Sequence, residues 1–145
     1  MRAQITDPEK IKRFATAGKA RLTLVSERTG QRTGQRFTYQ VKEKKDEDGK
    51  PTGFFFVSVL TGPDNTSSYT YLGCLSNGRF INDRRLRIGA DAPSRRGFAW
   101  FWRNLNGGDL SKVEVWHEGR CGRCNRVLTV PESIETGLGP VCAGR

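Results

Sequence analysis

The chain has 145 residues, of which 35% are hydrophobic, with a net charge of +10 and four cysteines. That length suits one domain with a small appendage, and no apolar run approaches the roughly 20 residues of a membrane helix, so no membrane partner is expected. The first twenty residues are polar and charged, without a secretory h-region, which points to the cytoplasm and argues against a disulfide framework.

Residues 6–18 read as a short helix. Thr6 or Asp7 can cap it, Pro8 suits the first position, Ile11, Phe14 and Ala15 share a face, and Gly18 stops it. Strand patterns follow over residues 22–27 (LTLVSE), 37–43 (FTYQVKE), 53–60 (GFFFVSVL), 69–75 (YTYLGCL) and 79–88. Asn77-Gly78 marks a hairpin between the last two. The duplicated TGQR within residues 28–36, the charged run 44–50 and the turn-rich stretch 62–68 read as loops. Asp91 then caps a second helix over residues 93–105, whose Phe98, Phe101, Trp102 and Leu105 form one apolar stripe. Residues 113–116 (VEVW) form a last short strand. The expected fold is therefore α+β. An N-terminal helix, a five-stranded antiparallel sheet or small barrel and one amphipathic helix make a core domain over residues 1–115. A C-terminal zinc module occupies residues 116–145.

The module rests on Cys121-Gly-Arg-Cys124 followed by Cys142. A C-x-x-C turn presents two thiolates to one ion, and zinc in structural sites takes four tetrahedral ligands with thiolates favoured. Three cysteines need a partner, and His117, three residues upstream of the turn, is the candidate that completes a Cys3His set; Cys74 is its competitor. Val127, Leu128, Val130, Ile134, Leu138 and Val141 supply a miniature core. Pro131 starts a helical turn that Gly137 ends, and Cys142 opens a last short turn.

The stretch CGRCNRVLTVPESIETGLGPVCAG resembles a short zinc-finger-like domain of unknown function found at the C-termini of phage and prophage proteins. The upstream text VLTGPDNTSSYTYLG, APSRRGFAWFWRNL and EVWHEGRCGRC is similar to full-length members of one such family. The resemblance implies metal ligation by Cys121, Cys124 and Cys142 and a phage-derived origin, with the host cell cytoplasm as location. It implies no activity.

Function must come from the residues. The chain has a single histidine, assigned above to the metal, and a zinc ion with four protein ligands offers no position for water or substrate. It has no G-x-S-x-G, P-loop or dinucleotide fingerprint. The acids of the 46–48 loop read as solvated. The expectation is a non-enzymatic protein. Residues 1–36 carry nine Lys/Arg against three acids and residues 79–116 eight against four, a surplus that favours nucleic acid, DNA foremost. Arg96, Trp100 and Arg103 share a helix face, where the Trp would stack on a base or else pack inward. Arg84, Arg85 and Arg87 cluster on one hairpin with Arg79, and Arg120 and Arg123 flank the C-x-x-C turn. Tyr39, Phe55, Tyr69 and Tyr71 form a candidate stacking face. The alternative is a protein-interaction module that blocks a host defence or replication factor, with the Phe54-Phe55-Phe56 run as its apolar patch.

Overall fold

The computed structural model describes residues 3–28, 31–63, 67–81, 92–129 and 131–143. In chain order these form β1 (Ala3–Ile5), α1 (Pro8–Ala15), β2 (Lys19–Arg28), β3 (Gln31–Lys45), β4 (Pro51–Leu60), β5 (Tyr69–Ser76), β6 (Arg79–Ile81), α2 (Pro93–Leu105), β7 (Val113–His117), α3 (Pro131–Thr136) and α4 (Pro140–Ala143). The strands make one antiparallel sheet of seven, not five, in the order β1-β7-β2-β3-β4-β5-β6. The order is that of an open sheet; no pairing of β1 with β6 closes it into a barrel among the described residues. No described helix is long and apolar enough to cross a membrane.

Two differences from the sequence reading have physical causes. β1 has only three residues, too few for alternation to register, and exists because β7 offers it a partner edge. The β2–β3 ladder continues through Val25↔Arg36 and Ser26↔Gln35 to Arg28↔Gln31, into the stretch that reads as a loop. Backbone pairing needs no apolar side chain, so a polar sequence can still extend a hairpin already in register.

The helices follow their signals closely. Asp7 caps α1, its carboxylate accepting from the Glu9 amide at 3.0 Å. α2 begins after Ala92, which makes no side-chain cap bond; the expected cap, Asp91, lies outside the described residues. Asn77 and Gly78 both take positive φ, 52° and 76°, as a two-residue hairpin turn requires.

Strand alternation sends Leu22, Leu24, Tyr39, Val41, Phe55, Val57, Val59 and Val115 to one face of the sheet. α1 covers that face through Ile11, Phe14 and Ala15, and α2 through Phe98, Phe101, Trp102 and Leu105. The Tyr39 and Phe98 rings meet at 5.1 Å, and the Tyr39 hydroxyl donates to Ser94 O at 2.5 Å. Trp102 Nε1 donates to Gly78 O at 3.0 Å and ties α2 to the β5–β6 turn. Trp100 is half-buried and packs against this same core, not against the metal module. Tyr39 and Phe55, candidates for a stacking face, are core residues.

Candidate metal centre

β7 leaves the sheet at His117, and the chain turns through Gly119, whose φ of 81° is one that side chains resist. A tight hairpin follows. Arg120 bridges Val127, the Cys121 amide donates to Arg126 O at 2.8 Å, and the Leu128 amide donates to Gly119 O at 2.8 Å. At its tip the Asn125 amide donates to Cys121 O at 2.9 Å, and Asn125 takes φ of 66°, a conformation Asn tolerates better than most residues. This is the knuckle that the C-x-x-C spacing predicts. α3, ended by Gly137, and α4 then carry Cys142 back to it.

The Sγ atoms of Cys121, Cys124 and Cys142 all lie within 4.8 Å of one another. Thiolates bound to one tetrahedral ion at 2.3 Å sit about 3.8 Å apart, so a small closure suffices for them to share a metal. Cys121 and Cys142 are buried, Cys124 exposed. Burial would raise the Cys121 thiol, but amides of Gly139, Cys124 and Arg123, with the Cys124 thiol, outweigh it and bring it down to about 7. Burial and the neighbouring Cys124 and Cys121 thiols push Cys142 up to about 11. The donor set fits a soft divalent cation: three crowded thiols, N–H groups aimed at one sulfur, and a small core of Ala17, Leu128 and Leu138 around them.

Residues 115–145 match a family of unknown function, DUF6011. No curated protein and no solved structure matches the chain. The matched segment is the knuckle, α3 and α4 together with the end of β7, so the match covers the whole cysteine cluster.

His117 does not join that cluster. It is 1% exposed, and both ring nitrogens are engaged. The Gly119 amide, which can only donate, lies 2.9 Å from Nδ1; Ile134 O, which can only accept, lies 2.6 Å from Nε2. The ring is therefore neutral, with its proton on Nε2 and its lone pair taken by Gly119. Burial lowers its pKa, against the pull of the Ile134 carbonyl, which keeps it uncharged. The H-x3-C-x2-C spacing that suggested a fourth ligand instead places a strut between β7 and α3. Cys74 is half-buried on β5, opposite Phe56 and Ile81, and is also outside the cluster. Among the described His, Cys, Asp and Glu residues, only the three cysteines gather as a ligand group.

The matched segment is welded to the rest of the protein. A Cβ added at Gly122 would stand 2.8 Å from the Phe14 ring, and one at Gly137 would stand 2.4 Å from it. The Phe14 and His117 rings meet at 5.7 Å, and the Lys19 amide donates to Gly122 O at 2.6 Å. Arg13 Nη2 donates to Ala143 O, Lys10 pairs with Glu135, and Arg123 Nε donates to Ala17 O at 3.3 Å. A cleft of about 160 Å³ runs along this seam, lined by Arg13, Thr16, Ala17, Arg123, Leu138 and Cys142. The boundary expected between residues 115 and 116 falls inside β7. Nothing in the sequence pointed to Phe14 as the docking residue, since its spacing explained it fully as a core position of α1.

The arginines divide by location. Arg96 and Arg103 are exposed on α2, and Arg120 is exposed on the knuckle with Nη1 donating to Asn125 O at 3.1 Å. Arg123 is half-buried against Ala17. Arg84, Arg85 and Arg87 lie outside the described residues.

Proposed function

We propose that the protein is a non-enzymatic, phage-type nucleic-acid-binding protein acting in the host cell cytoplasm, and that its cysteine cluster is a structural zinc site. When bound, zinc would supply a cross-link between the knuckle and α4, and Cys121, Cys124 and Cys142 would hold it. The observation that carries the binding reading is the exposure of the arginines: Arg96, Arg103 and Arg120 stay at the surface while Phe98, Phe101, Trp102 and Cys121 near them are buried. On a chain of net charge +10, such groups meet phosphate at low desolvation cost. His117 supports the non-enzymatic part, because hydrogen bonds to the backbone occupy both nitrogens of the chain's one histidine.

The test is an electrophoretic shift assay with single- and double-stranded oligonucleotides at low and physiological salt. Phosphate binding predicts that log affinity falls by about 0.7 to 0.9 per neutralised phosphate for each log unit of salt. Absence of any shift at low salt would end this reading and leave the protein-inhibitor alternative.

A further inference from the structure

The strands leave one sheet face uncovered by the described helices. α1 and α2 pack on the core face, and α3 meets the sheet there through His117. On the opposite face, strand register brings two kinds of side chain together. Phe56 pairs across from Lys42, which pairs with Lys19; Tyr71 pairs with Ser58, which pairs with Gln40 and then Arg21. Trp116 pairs with Thr23, which pairs with Thr38. Lys19, Arg21, Arg36, Lys42 and Arg79 fall at outward positions of their strands. Glu114, on the same face, accepts from the Trp116 indole at 3.1 Å, and the Glu118 carboxylate bears on Tyr69.

Two long side chains span this face. Arg21 on β2 and Tyr69 on β5 are separated by two intervening strands, about 14 Å of sheet at the usual spacing, yet the guanidinium lies 5.8 Å from the Tyr69 ring centre. They meet across a trough floored by Thr23, Thr38, Gln40 and Ser58. Phe56, 38% exposed, stands beside Tyr71 at 5.9 Å between ring centres. The Tyr69 hydroxyl is buried and finds no hydrogen-bond partner among the described residues, an expensive state that a bound polar group would relieve.

We infer that this trough binds single-stranded nucleic acid, its rings stacking on bases, its floor amide and hydroxyls meeting base edges, and Lys19, Arg21 and Lys42 neutralising phosphates. A duplex hides its base faces and could not use the rings, and an apolar protein partner would not call for Lys42 across from Phe56 or Arg21 against the Tyr69 ring. The inference rests on the nucleic-acid reading above and deepens it by naming the strand form and the face.

The test compares fluorescence anisotropy of a short labelled oligothymidine with that of a duplex, using the full chain loaded with zinc. The single strand should bind more tightly. Phe56→Ala should weaken it about tenfold at an unchanged salt slope, the equivalent of about 1.4 kcal/mol. Tyr69→Phe, which removes only the orphaned hydroxyl, should weaken it less, and Arg21→Ala should lower the slope by about one contact. Photocrosslinking of wild type to a bromouracil-substituted oligonucleotide should label peptides carrying Phe56, Tyr71 or Trp116, a result independent of how any variant folds. If wild type binds but crosslinks land on α2 or the knuckle, and Phe56→Ala binds like wild type, the trough is overturned while the nucleic-acid reading stands. If wild type binds neither strand form at low salt, both fall.

Discussion

His117→Ala separates a strut from a ligand. The substitution removes two hydrogen bonds, from the Gly119 amide and to Ile134 O. Gly119 is buried, so its amide would be left unsatisfied at about 1–3 kcal/mol, and the half-buried Ile134 carbonyl adds about 1 kcal/mol. Loss of the ring that packs on Phe14 adds a cavity. The sum is at least about 3 kcal/mol, which for a chain of this size lowers the melting midpoint by about 6–12 °C. The assay pairs calorimetry with X-ray absorption at the zinc edge, both with excess zinc. Midpoint should drop while the edge spectrum and the stoichiometry of about one zinc per chain stay as in wild type. A spectrum that loses a nitrogen donor in the variant would refute the reasoning and restore His117 to the metal.

Cys121→Ser or Cys142→Ser should abolish zinc retention, measured by elemental analysis after gel filtration, while Cys74→Ser leaves it unchanged, since Cys74 stands apart from the cluster on β5. Because Cys142 is pushed up to about 11 it holds its proton at neutral pH. Zinc uptake should therefore release at least about one proton, that of Cys142, and affinity should climb as pH rises toward that value, both read by titration calorimetry in buffers of different ionisation enthalpy. Gly137→Ala should cost about 2–3 kcal/mol in denaturant titration, because φ is 74° there and the new methyl would meet the Phe14 ring. The lowered pKa of His117 has its own signature: the stability it contributes is complete above about pH 6.5, its unfolded value, and is lost as pH falls through its folded pKa. That acid limb should be missing from His117→Ala.

Much of the fold could be read from local signals. Pro93 with the Phe98/Phe101/Trp102/Leu105 stripe defined α2, and Asn77-Gly78 defined the β5–β6 turn, because each is settled within a few residues. The C-x-x-C turn and Cys142 likewise came together as their spacing implied. What the sequence concealed were long-range facts. β1 depends on a partner more than a hundred residues away. Residues 31–36 of the TGQR repeat are strand because the ladder from Leu22↔Tyr39 carries on into them. The spacing of His117 could not reveal that Gly119, two residues on, takes its lone pair. Trp116 and Phe56 gave no sign of sharing a face until register aligned the strands.

The position of β7 between β1 and β2 has a consequence for synthesis. As the chain leaves the ribosome, β2 through β5 can zip up as successive neighbours, but the free edge of β2 must wait for residues 113–117 to emerge. β1, made first, has no edge to join until β7 has docked. Phe14 waits too, with Gly122 and Gly137 still inside the exit tunnel or untranslated. Such distant closures are slow, and an unpaired strand edge invites other chains in the meantime. Cys142 lies 25 residues beyond His117, so the cysteine cluster can be completed only after the strand that covers the β2 edge has been made.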